Sequence, residues 1–288
     1  MACTRVNTVD LVAVGLVLFA AIAHAGWNFS AKRAGAGGAL FVWLYQCASA
    51  VICLPIAVIA LLGERPQWSW LLASGVSAVL HVAYGLALQK GYAAGDMSVV
   101  YPVARGSGPL LSVVAAVAFL GERPGHWALV GAGLVVAGVF VVGLGKKRVS
   151  IGPSLFYGGL TGLTIASYTL WDALSVKTVP PLIYFCTGAV IQSLILAPYA
   201  ARNSGRIGSL WREHKGDVLV IAVLSPAAYI AVLYAMRIAP VSMVAPAREL
   251  SIVFGSLIAW RFLREPNPVQ RLAGAFVVLA GVALIAVS

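Results

Sequence analysis

The sequence predicts an all-α integral membrane protein of ten transmembrane helices, built as two inverted five-helix repeats around a central cavity. Three observations predict it. Of 288 residues, 61% are hydrophobic and only 10% charged, against roughly half and a quarter in soluble domains, which excludes a soluble enzyme. The apolar residues gather into ten runs, each near the roughly 20 residues that a helix needs to cross a bilayer. Motifs recur about half a chain apart, so the repeated unit holds five runs.

The first run, at about 9–30, follows Met1 to Thr8 and lacks a small-residue cleavage site, so it reads as a span and not as a removed leader. Lys32-Arg33 closes it, and a second run at 38–62 ends on Gly63-Glu64-Arg65-Pro66. The third, 70–90, and fourth, 97–120, are parted by Gly91 to Asp96, and Gly121-Glu122-Arg123-Pro124 precedes the fifth, 127–144. The basic Lys146-Lys147-Arg148 then divides the chain into halves 1–149 and 150–288. The second half holds runs at 153–176, 181–200, 217–237, 241–263 and 268–287. Pro180-Pro181 separates its first two runs, and an interfacial loop, Ala201 to Gly216 with Leu210-Trp211 as anchor, separates the next two. These runs are too long for barrel strands and lack polar alternation, which leaves helices.

The repeat is carried by residues. Ser98 to Arg105, Ser-Val-Val-Tyr-Pro-Val-Ala-Arg, matches Ser242 to Arg248, Ser-Met-Val-Ala-Pro-Ala-Arg, with one residue dropped. Phe119-Leu120-Gly121-Glu122 matches Phe262-Leu263-Arg264-Glu265, Gly131 with Gly138 matches Gly274 with Gly281, and Trp27-Asn28 matches Trp171-Asp172. An odd number of spans per repeat enters the membrane in opposite senses, and inverted repeats with a midplane site mark transporters. The glycine pairs predict close packing of the fifth and tenth spans, or else a homodimer face.

The paired Pro and Arg, followed by Leu-Gly-Glu and a glycine-rich closing helix, resemble the drug/metabolite transporter superfamily in its ten-helix EamA-type branch, over essentially the whole chain. Among its members the chain looks similar to YddG-type aromatic amino acid exporters. The resemblance implies a secondary transporter that exports amino acids or other small metabolites across the bacterial plasma (inner) membrane. It also implies a cavity lined by spans one, three, four, six, eight and nine, and both termini in the cytoplasm. The charge distribution disagrees with that last point. With Arg105 and Arg248 set aside as buried, five basic residues fall on the side of the termini and thirteen on the other, so the positive-inside rule puts the termini outside.

Ionisable groups inside a bilayer need a partner or a function. Arg105, Asp172, Arg248 and Glu249 are the four within the predicted spans. Each arginine can fork a carboxylate, either of the substrate or of Asp172 and Glu249. Pro102, Pro109, Pro226 and Pro246 are expected to interrupt their spans, and the repeat-matched Pro102 and Pro246 to serve as gates. His24, Trp27 and Asn28 share one helix face, as do Tyr168, Trp171 and Asp172. His81, Tyr84, Tyr101, Tyr229 and Tyr234 extend an aromatic and polar lining suited to an amphiphilic solute.

No cofactor is implied, and His24, His81, His126 and His214 lack a metal-ligand spacing. The +11 net charge sits mostly between spans, which speaks for orientation in the lipid bilayer and against nucleic acid. Gly143 to Lys147 lacks the spacing of a phosphate loop. Ser107 with His81 lacks a nucleophile elbow, so an intramembrane enzyme is a remote alternative, as is a channel. The expectation is a monomeric or weakly dimeric exporter working by alternating access, with spans three, four, eight and nine as gates. Efflux of small organic cations is the other reading.

Overall fold

Apolar runs punctuated by glycine, proline and charge fold as helices because a backbone in lipid must satisfy its own hydrogen bonds. The computed structural model describes residues 11–34, 38–94, 97–143, 151–258 and 268–287. Among them the first half forms α1 (Leu11–Arg33), α2 (Gly38–Leu61), α3 (Trp68–Ala94), α4 (Met97–Leu120) and α5 (His126–Gly143). The second half forms α6 (Ile151–Ser175), α7 (Pro181–Arg202), α8 (Ile207–Ile238), α9 (Val241–Ala247), α10 (Leu250–Ile258) and α11 (Pro268–Ala286). Lys146-Lys147-Arg148 and the second Phe-Leu-x-Glu element, Phe262 to Glu265, lie outside the described residues.

Six helices among these residues are long and apolar enough to cross a membrane: α1, α2, α3, α4, α7 and α8, with α5 and α11 shorter but apolar. Their outer faces carry exposed Phe19, Val51, Ile59, Val114, Leu194 and Phe276, whose burial only a bilayer provides. α6 is long but more polar, and it turns its hydroxyls back on itself. Thr161 donates to the Tyr157 carbonyl at 2.7 Å and Ser167 to that of Leu163 at 2.8 Å, which removes the cost of carrying them at membrane depth.

As expected from Pro246, the ninth span is interrupted: it is two helices, α9 and α10, broken at Arg248-Glu249. Two features depart from the sequence reading. α4 runs unbroken through Pro102 and Pro109, and α8 is helical through Pro226. A single proline costs a helix about one hydrogen bond, which packing on both sides compensates. The non-helical residue in α8 is His214 instead (φ −124°, ψ 15°). Finally, Ala201 to Gly216 is no loop: it ends α7, makes a 3-10 turn at Ser204–Arg206 and starts α8.

The two halves interlock in matching pairs. α1 packs on α8 as α6 packs on α3, α1 on α10 as α6 on α4, and α2 on α7, α5 on α11 close the set. A Cβ on Gly131 would lie 2.6 Å from the Gly281 carbonyl oxygen, and one on Gly138 would lie 2.8 Å from that of Gly274. Numbers rise along α5 as they fall along α11, so these helices run antiparallel with backbones in contact. That contact consumes the glycine faces within one chain. α2 and α7 are antiparallel too, with Trp43 Nε1 donating to the Ser193 carbonyl at 3.1 Å and Cys53 packed against Cys186.

Candidate functional site

The break in the ninth span makes the site. Pro246 lacks the N–H that would bond back to the preceding turn, and beyond it the backbone tightens. Glu249 N–H donates to the Pro246 carbonyl at 3.0 Å, and Ser251 N–H to that of Arg248 at 3.2 Å. These three-residue spacings replace the α pattern and set Arg248 and Glu249 between the two short helices.

Glu249 turns to α4. Its Oε2 stands 3.2 Å from Nε of Arg105 with both groups nearly buried, the glutamate side chain 5% and the arginine 13% exposed. Neither Nε nor Oε2 makes an aligned hydrogen bond, so the pair is held by charge in a low dielectric. The Nη2 of Arg105 donates to Ser251 Oγ at 3.2 Å and approaches Nε2 of His24 on α1 at 3.5 Å. Its guanidinium lies 6.0 Å from the Tyr101 ring centroid.

Asp172, fully buried on α6, is satisfied without a cation. Ser77 of α3 donates to Oδ1 at 2.7 Å, Tyr184 of α7 donates to the same oxygen at 2.6 Å, and Tyr229 of α8 makes a short bond to Oδ2. Ser77 also neighbours Nδ1 of His81 at 3.3 Å. The His81 ring stacks on Tyr168 at 4.1 Å and meets Tyr229 edge-on at 5.3 Å, and Tyr84 meets Tyr168 edge-on at 5.8 Å.

Arg248 has a different environment. Its guanidinium lies 5.7 Å from the Tyr229 ring centroid, and the Tyr168 side chain is its hydrogen-bond partner. Among the described residues no carboxylate lies within ion-pair distance of it.

The structure therefore brings His24, His81, Tyr84, Tyr101, Arg105, Tyr168, Asp172, Tyr229, Arg248 and Glu249 into one cluster, drawn from α1, α3, α4, α6, α8 and the α9-α10 break. Trp27 adjoins it through an edge contact with His24 at 4.8 Å. Other predicted residues are spent elsewhere. The Asn28 amide donates to the carbonyl of His24 at 2.8 Å, within its own helix. The Trp171 indole donates to the Ala73 carbonyl at 2.8 Å and fastens α6 to α3. Tyr234 is 41% exposed on the outer face beside Arg237. Pro102 is buried in a continuous helix. Sequence reading missed Ser77, Tyr184 and Ser251, although Ser77 precedes His81 by one helical turn on the same face.

Two pockets have linings distinct from the charged cluster. One is bounded by Val12, Leu16, Tyr234, Arg237 and Ile238, the other by Val17, Met243, Leu250 and Ile285. Among the described residues, His, Cys, Asp and Glu side chains do not gather into a metal-binding group of three.

A chain that is helical throughout its described residues, with a charged aromatic cluster at a helix break, has the build of a membrane carrier. Comparison with protein families names the kind: the EamA-like transporter family model matches residues 11–144 and again 153–287. The chain belongs to that family, and is thus an integral membrane protein of the drug/metabolite transporter superfamily. A solved crystal structure aligns with 94% of this chain and 97% of its own at a TM-score of 0.72 and 16% identity, a likeness of fold. No curated protein matches the sequence.

Proposed function

We propose that the protein exports small metabolites that carry a carboxylate, above all amino acids including aromatic ones, across a bacterial plasma membrane. The observation that carries this reading is the Arg248 guanidinium, which among the described residues has no carboxylate within ion-pair distance. Two acids and two arginines share the cluster, yet both acids are sealed: Asp172 is 0% and Glu249 4% exposed, one saturated by hydroxyls and the other held by Arg105. The charge left for a solute is positive, and a guanidinium offers a carboxylate two parallel hydrogen bonds. The stacked His81 and Tyr168, with Tyr84 and Tyr101 nearby, supply flat apolar faces for the rest of the solute.

Transport proceeds by alternating access of two inverted five-helix repeats in a ten-span molecule. The antiparallel crossing of α5 on α11, equivalent helices of the two repeats, supports the inversion. The excess of basic residues on the side away from the termini supports a cytoplasmic location for that side, which a reporter fused at Ser288 tests.

Counterflow in proteoliposomes tests the function. Preloaded aromatic amino acids should accelerate uptake of labelled amino acid, saturably. Competition by cationic dyes without competition by amino acids would instead favour cation efflux, and would demand that Asp172 or Glu249 face the solute.

A further inference from the structure

Glu122 belongs to the Leu-Gly-Glu element of the repeat and takes no part in the charged cluster. Its carboxylate crosses from the first half of the chain to the second. Oε1 accepts from the N–H of Val241 at 2.8 Å and Oε2 from the N–H of Ser242 at 2.9 Å. Gly121, at φ +69°, makes the turn between α4 and Glu122 in a conformation that a side chain would strain.

Val241 and Ser242 are 3% and 2% exposed. Around them a single apolar cluster joins α1, α4, α6, α7, α8 and α9, through Val17, Ala116, Ala173, Tyr184, Leu233 and Val244. This apolar packing reaches the charged cluster, since Ala173 adjoins Asp172 and Tyr184 bonds to it. Elsewhere, Phe41, Leu44, Val218 and Ile221 join α2 to α8 with Ala34 and Trp27 beside them, and Gly91 of α3 meets Val100 and Tyr157 in a separate contact of α3, α4 and α6. Among the described residues, the packing around Val241 and Ser242 is closed across both repeats, and Glu122 ties the two halves together there.

We infer that Glu122 is the latch of that closed packing. The inference rests on the alternating-access reading, because a path through this packing requires Val241 and Ser242 to part from Glu122. Charge-assisted bonds are roughly twice as strong as neutral ones, yet the freed carboxylate and amides at this margin regain water. The latch thus biases the closed state without locking it. A solute site behind this packing then faces only the other side until the latch opens.

The test reads opening of this packing directly and without substrate. In a cysteine-free background, Val244→Cys reports it by its rate of reaction with a membrane-impermeant maleimide. Glu122→Gln should raise that rate about tenfold by weakening both bonds. Glu122→Asp, one methylene too short to reach both amides, should fall between, and it carries the test if the glutamine variant does not fold. An unchanged rate in a variant that melts at the parent's temperature would overturn the latch and leave Glu122 a static brace. Because no solute enters the measurement, a failed carboxylate role for Arg248 would not alter its outcome.

Discussion

The guanidinium of Arg248 stands 5.7 Å from the ring centroid of Tyr229, and the hydroxyl of that same ring bonds to Asp172. One tyrosine thus touches both a buried acid and a cation of the cluster. The charge of Asp172 is dispersed over hydroxyls from three other helices, whereas that of Arg248 rests against an aromatic face.

Tyr229→Phe separates these two roles. The ring face remains and the bond to Asp172 is lost, so stability should fall by about 1–2 kcal/mol while the half-saturation concentration in counterflow moves by less than about threefold. Thermal unfolding in detergent and counterflow on the same preparation check both. A collapse of affinity with stability intact would place the hydroxyl in the solute site.

Arg105 and Glu249 form a pair in which removing one partner strands a buried charge. Arg105→Met and Glu249→Gln should each destabilise by about 3–5 kcal/mol, and the double variant should recover a large part of the loss. Additive losses in unfolding measurements would show that the 3.2 Å approach contributes nothing as a pair.

The crossing of α5 and α11 leaves no room for a side chain. Gly131→Leu, placed against the Gly281 carbonyl, should cost more than the roughly 1–3 kcal/mol of ordinary overpacking, because backbone cannot step aside as a side chain can. Size-exclusion profiles of detergent-extracted protein should show loss of the monodisperse peak. Gly133→Leu, where a Cβ meets nothing within 4 Å, should leave the peak in place.

Helical class, repeat and glycine seam were legible in the sequence because each is a periodicity, and periodicity survives in one dimension. The four buried charges were legible because the bilayer makes them costly. Their pairing was not. Glu249 meets Arg105 and not its neighbour Arg248, a choice made by the tight turns at the helix break. The partners of Asp172 are hydroxyls that look, in sequence, like any others in an apolar helix. A proline in the sequence does not by itself mark a break, since Pro102 lies inside a continuous helix whereas Pro246 precedes a break. Aromatic type alone also misled for Trp171, whose indole N–H is taken by the Ala73 carbonyl, and for Tyr234, which faces outward.

Arg248→Lys distinguishes a fork from a point charge. Lysine keeps the charge but loses the paired geometry, so affinity for amino acids should drop about tenfold or more, with Arg248→Ala lower still. Equal affinity in the lysine variant would mean that net charge alone attracts the solute.

Recognition of a carboxylate by Arg248 is put to the test by a matched pair of solutes. Phenylalanine and its decarboxylated amine differ in that one group. In competition counterflow the account predicts that phenylalanine inhibits and the amine does not, and that Arg248→Ala abolishes the difference. Equal or stronger inhibition by the amine in the unaltered protein would contradict it.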